Sequence, residues 1–201
     1  MISLVTIIES ESDFDNLKRN LNSLEPDWKL GVDILCLVAD EELYPKVRNY
    51  LQGVADKGDC LVVFGEPFFE EVKQYLNDKN EYIFLLGKGT ILPSGSLTRL
   101  YFDYLLYRGA GFVSGAGSYI KVKDFYKEFV GNKIILDNSE PNGIDYVDSC
   151  KPKALLTKTN LFKEFWQDVE DYGEYSYGIN LRRKGYQNYI DNRVVLRQEE
   201  Q

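Results

Sequence analysis

Histidine is absent from the 201 residues of this chain, and cysteine is scarce. Histidine is the commonest metal ligand and the usual general base near neutral pH, so zinc sites and Ser-His-Asp catalysis are set aside. The cysteines Cys36, Cys60 and Cys150 are widely separated and show no CxxC spacing. Because Cys36 and Cys60 lie within apolar runs, we expect buried, reduced thiols rather than ligands or nucleophiles.

Long apolar runs and an excess of basic charge are missing as well. No stretch approaches the roughly 18 to 20 uninterrupted apolar residues of a membrane span. The opening MISLVTIIESESD lacks the basic leader and cleavage site of a signal peptide, so we expect a cytoplasmic protein without a membrane span. Basic residues number 24 against 32 acidic ones, for a net charge of −8. Since this charge repels phosphate backbones, we expect no general nucleic-acid binding.

The chain does have a regular alternation of apolar runs and amphipathic segments. With 44% apolar residues it can bury one substantial core, and we predict a single domain over residues 1–201. Four apolar runs, each followed by a segment of helical period, predict strands over Ile2–Ile8, Val32–Val38, Cys60–Phe64 and Tyr82–Leu86. The alternation predicts an α/β fold with a mostly parallel central sheet flanked by helices.

Local signals predict further elements. Ser12 is predicted to cap the first helix, and Pro67 to lie in the first turn of the third. In the less regular second half, we predict a strand over residues 111–114 and a last strand over residues 193–196. Helices are predicted over residues 123–130, over residues 160–169 and around Ile179, with a turn-rich loop over residues 137–145.

Ligands of parallel α/β sheets bind at the carboxyl ends of the strands, near the point where the strand order reverses. The loops at these ends are residues 9–13, 39–42, 65–66 and 87–90. The last loop reads Gly87-Lys88-Gly89-Thr90. It is not a P-loop, because that motif needs a glycine five positions before the lysine, where Ile83 stands.

The run Tyr82–Leu86, the loop after it and the following Ile91-Leu92-Pro93 resemble the central segment of family 2 glycosyltransferases of the GT-A fold. In that family the strand ends in an Asp-x-Asp that holds a divalent cation, and a hydrophobic-Leu-Pro follows. Aligned without a gap, the two acids fall on Gly87 and Gly89, with Lys88 between them. The resemblance implies a GT-A domain with a nucleotide-binding half, residues 1–107, and an acceptor-side half, residues 108–201.

The same resemblance assigns roles to single residues. With its metal ligands replaced, the chain is expected to use no divalent metal, and Lys88 with Gly87 and Gly89 is predicted to bind the phosphates. A lysine at the exposed tip of a turn is the alternative. The loop after the first strand contacts the nucleobase in the family, which implies this role for Glu9, Ser10 and Glu11.

Two later positions complete the comparison with the family. The acid that ends the family's second strand touches the base or ribose, and Asp40 is the nearest match. Residues 177–186, YGINLRRKGY, resemble the family's late helix that ends in Gly-Tyr. Counting back from its end places the family's acidic pair, with the catalytic base, on Gly173-Glu174, so Glu174 is predicted as the base. The family's late histidine falls near Arg197 or Gln198.

Two functions follow and stay open. The first is a glycosyltransferase-like protein that binds a nucleotide-sugar, with a UDP-sugar favoured and the acceptor unknown, and transfers the sugar without a metal. The second is a catalytically inactive GT-A pseudoenzyme that serves as an interaction or assembly module. A protein partner would call for an exposed apolar patch, for which the tyrosine-rich residues 172–189 are the candidate.

Overall fold

Helices and strands alternate along the first half of the chain, and short strands dominate the second. The structure is a computed structural model that describes residues 1–66, 69–76, 78–122, 133–136, 143–166 and 173–198. The helices are α1 (Glu11–Ser23), α2 (Leu43–Gln52), α3 (Phe69–Val72), α4 (Ser96–Leu106), α5 (Thr159–Phe165) and α6 (Ser176–Arg183), with 3-10 helices over Glu25–Leu30, Lys73–Tyr75 and Gly173–Tyr175. The strands are β1 (Ile2–Ile8), β2 (Val32–Val38), β3 (Cys60–Phe64), β4 (Tyr82–Leu86), β5 (Thr90–Ile91), β6 (Ala110–Gly115), β7 (Tyr119–Val122), β8 (Lys133–Leu136), β9 (Ile144–Val147), β10 (Ser149–Cys150), β11 (Ala154–Lys158), β12 (Gln187–Asp191) and β13 (Arg197–Gln198).

The main sheet has eight strands in the order β3-β2-β1-β4-β11-β6-β12-β9. Its strands all run in one direction except β9 and β11. The predicted α/β fold with a mostly parallel central sheet is therefore confirmed. The chain builds outward from β1 to β3 and then returns to place β4 on the other side of β1. The strand order thus reverses between β1 and β4, which is where such sheets bind ligands.

The first four strands match the predicted ranges residue for residue because each is a predominantly apolar run. All of β4 is buried, and its alternate side chains enter two cores on opposite faces of the sheet. Phe84 faces the core that contains Leu17 of α1 and Leu97 of α4. Ile83 faces the core that contains Phe162 of α5. Burial on both faces leaves no place for the polar side chains of a half-exposed strand.

Two local predictions are wrong. The N-cap of α1 is Ser10 instead of Ser12, since Ser10 is extended (φ −149°, ψ 163°) and its Oγ accepts the Asp13 N–H at 3.3 Å. Residues 193–196 form no strand, because the Asp191 carboxylate holds a turn there by accepting the Arg193 N–H at 3.0 Å. The strand lies earlier, as β12, and the chain pairs again only as β13, beside β5.

Other predicted elements are confirmed or lie partly outside the described residues. The strand at residues 111–114 is β6, the helix around Ile179 is α6, and the helix at residues 160–169 is described as α5. Pro67, residues 123–130, residues 137–142 and residues 167–169 lie outside the described residues. Within the described part of the chain, no helix combines the length and apolarity that a membrane span requires.

A three-residue cluster fastens the C-terminal segment to α4. The Arg193 guanidinium donates to Asp191 Oδ1 at 2.7 Å and to Asp103 Oδ2 at 3.2 Å, and both carboxylates are almost fully buried. Burial, and then the neighbouring Asp191, raise the pKa of Asp103 to about 6. Burial opposes the shift at Asp191, but hydrogen bonds from Arg193 and Asp103 hold the pKa of Asp191 below its ordinary value.

We expect Asp103→Asn to change how stability depends on pH. A carboxyl whose folded pKa is raised contributes most below its unfolded pKa near 4 and loses that contribution as the pH rises through about 6. The substitution removes this loss. Relative to the parent, the unfolding free energy of the variant should therefore rise by about 1 kcal/mol from pH 5 to pH 7.5. This rise is smaller than the full pKa shift implies, because Arg193 leaves the cluster partly open to water.

Urea unfolding at both pH values measures this difference. Asp56→Asn, at an exposed position, is the control. Its unfolding free energy should change with pH as that of the parent does. The same pH dependence of unfolding free energy in Asp103→Asn and in the parent would contradict the assignment of a raised pKa to Asp103.

Candidate functional site

The loops after β1, β2 and β4 leave the same edge of the sheet. Ile8 pairs with Val38, and Thr6 pairs with Leu86, so the carboxyl ends of the three strands lie side by side. The strand order reverses at this edge, which makes it the candidate site.

An ion pair joins two of the predicted site residues across the edge. Lys88 Nζ, from the loop after β4, binds Glu9 Oε2, from the loop after β1. The hydrogen bond from this lysine to Glu9 raises the pKa of Lys88 above its ordinary value, so its charge is secure at neutral pH. Both side chains remain partly exposed, at 46% for Lys88 and 33% for Glu9. The pair is accessible from solvent and contributes little to folding stability.

The other predicted nucleoside residues lie at the same edge and have local partners. Glu11 pairs with Lys46 of α2. The Ser10 hydroxyl caps α1 and donates to Asp13 Oδ2 at 2.8 Å. Asp40 Oδ1 accepts the N–H groups of Glu42 at 2.8 Å and Leu43 at 3.0 Å, which starts α2. Glu9 is thus the predicted nucleoside acid that, among the described contacts, pairs with a predicted phosphate residue.

The two glycines of the loop have different reasons to be glycine. The Gly87 N–H donates to Lys153 O at 2.8 Å, and a Cβ at this position would lie 2.5 Å from Pro152 O and 3.0 Å from Lys153 Cα. Gly89 has a φ of 67°, which disfavours a side chain, while no described atom lies within 4 Å of a Cβ built there. The backbone of Pro152 and Lys153 therefore packs against Gly87 and seals it, whereas no described residue packs against Gly89.

A small polar cavity lies beneath this loop, between it and α1. Asn16 and Thr90 line it together with the three residues Gly87, Lys88 and Gly89. Asn16 is 3% exposed and Thr90 2%, yet both polar atoms of the Asn16 amide and the Thr90 hydroxyl have no hydrogen-bond partner among the described residues. The cavity has room for about one water molecule. Sequence reasoning missed Asn16, because an asparagine inside an amphipathic helix gives no signal of burial. Thr90 belongs to the predicted ligand loop 87–90, but no role was predicted for its side chain.

Glu174 lies in the other half of the chain, at the 3-10 helix before α6. It is 64% exposed and pairs with Lys151 at 2.8 Å. Lys151, Pro152 and Lys153 form the turn that leads into β11, and the far end of this turn seals Gly87. The predicted base and the predicted phosphate loop are thus connected through one short turn. This turn was also missed, since β11 pairs with strands distant in sequence.

The described part of the tyrosine-rich segment, residues 173–189, does not form the predicted exposed patch. Tyr175 and Tyr177 are buried, at 6% and 4% exposure, and Tyr172 lies outside the described residues. Arg182 is also buried, in an ion pair with Asp148 at 3.1 Å. Large exposed apolar side chains occur instead on the last turns of α4, at Phe102, Leu105 and Leu106.

The loop after β4 does not fit a divalent cation. Carboxylate oxygens are the ligands that such ions prefer, and two glycines flanking an ammonium group supply none. The packing of Pro152 against Gly87 also excludes a side chain at the first of the two positions. Among the residues that the structure describes, no cluster of three acids or cysteines is placed to hold a metal.

Neither a family model nor a curated protein matches this sequence, but solved structures do. The mannosyltransferase PcManGT from Pyrobaculum calidifontis, in complex with GDP-Man and Mn²⁺, superposes with a TM-score of 0.62 at 11% identity, over 93% of this chain and 53% of that one. TarS residues 1–349 from S. aureus, in complex with UDP-GlcNAc, superposes with a TM-score of 0.63 at 11% identity, over 100% of this chain and 59% of that one. The chain has a GT-A-type fold.

A third solved structure, of a different kind of enzyme, also superposes on this chain. The 4-diphosphocytidyl-2C-methyl-D-erythritol synthase from Anaerococcus prevotii superposes with a TM-score of 0.57 at 15% identity, over 94% of this chain and 87% of that one. This chain therefore spans little more than half the length of the two glycosyltransferase structures and most of the length of the synthase. Because the sequence identities are this low, the similarity shows a shared fold and nothing more.

We expect Gly87→Ala to destabilise the protein more than Gly89→Ala. The first substitution forces a methyl group against the Pro152–Lys153 backbone and should cost about 2 to 3 kcal/mol of unfolding free energy. The second meets open space and should cost about 1 kcal/mol, from its left-handed conformation alone. Chemical denaturation of the two variants measures both costs, and an equal or reversed order would show that the turn does not seal Gly87.

Proposed function

We propose that this chain binds a nucleotide-sugar, favouring a UDP-sugar, at the carboxyl edge of β1, β2 and β4 and transfers the sugar without a divalent metal. Lys88 contacts the phosphates, Glu9 and Asp40 contact the nucleoside, and Glu174 accepts the proton of the acceptor hydroxyl. The observation that carries the proposal is the Glu9–Lys88 pair, which brings a carboxylate and an ammonium group together where a GT-A sheet reverses its strand order.

The charges along this edge suit the two ends of such a ligand. Carboxylates from Glu9, Glu11 and Asp40 lie over the ends of β1 and β2, and ionised carboxylates only accept hydrogen bonds. A nucleoside offers donors to them, from its base and its ribose hydroxyls. Lysines lie over the end of β4 and beside the start of β11, where the diphosphate would be placed. The two glycosyltransferases of similar fold were solved with GDP-Man and with UDP-GlcNAc.

Binding would exchange one partner of Lys88 for another. Its ammonium group pairs with Glu9, and a phosphate oxygen is an acceptor of the same sign. Because the pair is exposed and weak, its rupture costs little. Glu9 is then released toward the nucleoside side of the edge.

The transfer step requires charge stabilisation and a base. The acceptor oxygen forms a bond to the anomeric carbon while the bond from that carbon to the diphosphate oxygen breaks. The diphosphate leaves with the electron pair, and the Lys88 ammonium stabilises the charge that develops on it. Glu174 takes the proton from the acceptor hydroxyl, after its carboxylate separates from Lys151.

A second candidate is the inactive scaffold that binds a partner. The exposed apolar side chains on α4 favour it, because Phe102 is 56% and Leu106 75% exposed to solvent. A thermal-shift screen with nucleotides and nucleotide-sugars separates the candidates. A ligand at about 100 times its Kd stabilises the folded state by about 2.7 kcal/mol, whereas a pure scaffold shows no shift.

We expect Lys88→Met to weaken UDP binding by about tenfold to a hundredfold in calorimetric titration. The substitution removes a charge-assisted hydrogen bond to phosphate, which contributes about 1.5 to 3 kcal/mol. Lys18→Met is the matched control, since Lys18 also pairs with an acid, Asp15, but on the exposed face of α1. Equal UDP affinity for Lys88→Met and the parent would exclude Lys88 from the phosphate site.

We expect turnover to survive removal of divalent cations. Hydrolysis of a panel of UDP- and GDP-sugars should proceed at the same rate with and without a chelator, since the fixed charge of Lys88 takes the place of the metal. Glu174→Gln should lower turnover without weakening UDP binding. Turnover that a chelator abolishes would refute the metal-free mechanism, and turnover unchanged by Glu174→Gln would exclude Glu174 as the base.

A further inference from the structure

Lys153 lies against the same loop as Lys88 but approaches it from β11. Its carbonyl accepts the Gly87 N–H at 2.8 Å, and its Nζ donates to Lys88 O at 3.3 Å. The Lys88 ammonium group instead points to Glu9, on the β1 side. The two cations therefore flank one loop from different directions.

No described carboxylate neutralises the charge of Lys153. Among the described residues it pairs with no carboxylate, and its Nζ contacts only a neutral carbonyl. An ammonium group with no carboxylate partner among the described residues thus lies beside a glycine loop. Such a group attracts an anion that approaches the loop.

The loop itself offers donors between the two cations. The N–H groups of Lys88 and Gly89 have no acceptor among the described residues, while the Gly87 N–H is occupied. No described atom fills the space beside Gly89. Consecutive open amides in a turn form a concave site for an anion.

The geometry points to Lys153 as the second cation of a diphosphate subsite, in which Lys88 and Lys153 each hold one phosphoryl group and the open amides of the loop lie between them. This inference deepens the proposed function and rests on it for the identity of the whole ligand. A diphosphate is the class of ligand that fits, because each of its phosphoryl groups carries a negative charge near neutral pH and the site has two separate cations.

Calorimetric titration with inorganic diphosphate and with orthophosphate tests the subsite. We expect Lys153→Met to weaken diphosphate binding by about tenfold and orthophosphate binding by less than about threefold, since only the larger anion reaches both cations. Lys184→Met, at an exposed position beyond α6, is the control and should leave both affinities unchanged. Lys153 is partly exposed, so the variant should fold, and an unchanged melting temperature checks this.

The outcomes separate the subsite from the proposed function. Diphosphate binding that depends on Lys153, in a protein that binds no nucleotide-sugar, supports the subsite and refutes the proposed function. Nucleotide-sugar binding that is unaffected by Lys153→Met, together with unaffected diphosphate binding, refutes the subsite alone. Absence of diphosphate binding to the parent, or an equal loss of both anions in Lys153→Met, also overturns the inference.

Discussion

The contact between Gly87 and the turn before β11 is the constraint on which the candidate site depends. The Gly87 N–H binds Lys153 O, and the Pro152 carbonyl occupies the place of a side chain at position 87. This packing extends the antiparallel pairing of β4 and β11 by one residue beyond β4. As a consequence, the loop has no carboxylate at its first position, Lys153 lies against it, and Glu174 connects to it through Lys151. The lack of a metal ligand at this position is thus a property of the packing as well as of the sequence.

The electrostatics of the edge follow from the order of its strands. β1 and β2 end in acidic loops, whereas β4 and the start of β11 carry lysines, and the strand order places these pairs next to each other. The boundary between the two signs runs between Glu9 and Lys88, which neutralise each other. A ligand that has hydrogen-bond donors at one end and phosphates at the other complements both sides of this boundary. An anion without such donors would meet the lysines only.

The fold was largely predictable because its first four strands are predominantly apolar runs, and β1, β2 and β4 are largely buried on both faces. The edge strand β3 is partly exposed, but its run of apolar residues is unbroken. The second half was less predictable, since β11 and β12 are recognised by their partners in the sheet and not by their own residues. The error at residues 193–196 has a similar origin, because Asp191 converts an apolar run into a turn. For the candidate site, the resemblance pointed to Lys88 and Glu9, which the structure brings together, but it had no means to point to Lys153 or Asn16 and gave no role to Thr90. Their relevance arises from packing between segments distant in sequence.

The buried polar atoms beneath the loop bear on the choice between a binding site and an inert scaffold. A buried polar group without a partner costs about 1 to 3 kcal/mol, and Asn16 and Thr90 together hold three such atoms among the described residues. A scaffold would be more stable with apolar side chains at both positions, as the surrounding Leu17 and Leu86 are. The cost is offset only if a water or a ligand group satisfies these atoms. Because Gly87, Lys88 and Gly89 also line the cavity, the same loop that would hold an anion covers these polar atoms. The polar lining of the cavity is consistent with the proposed binding of a polar ligand at this loop.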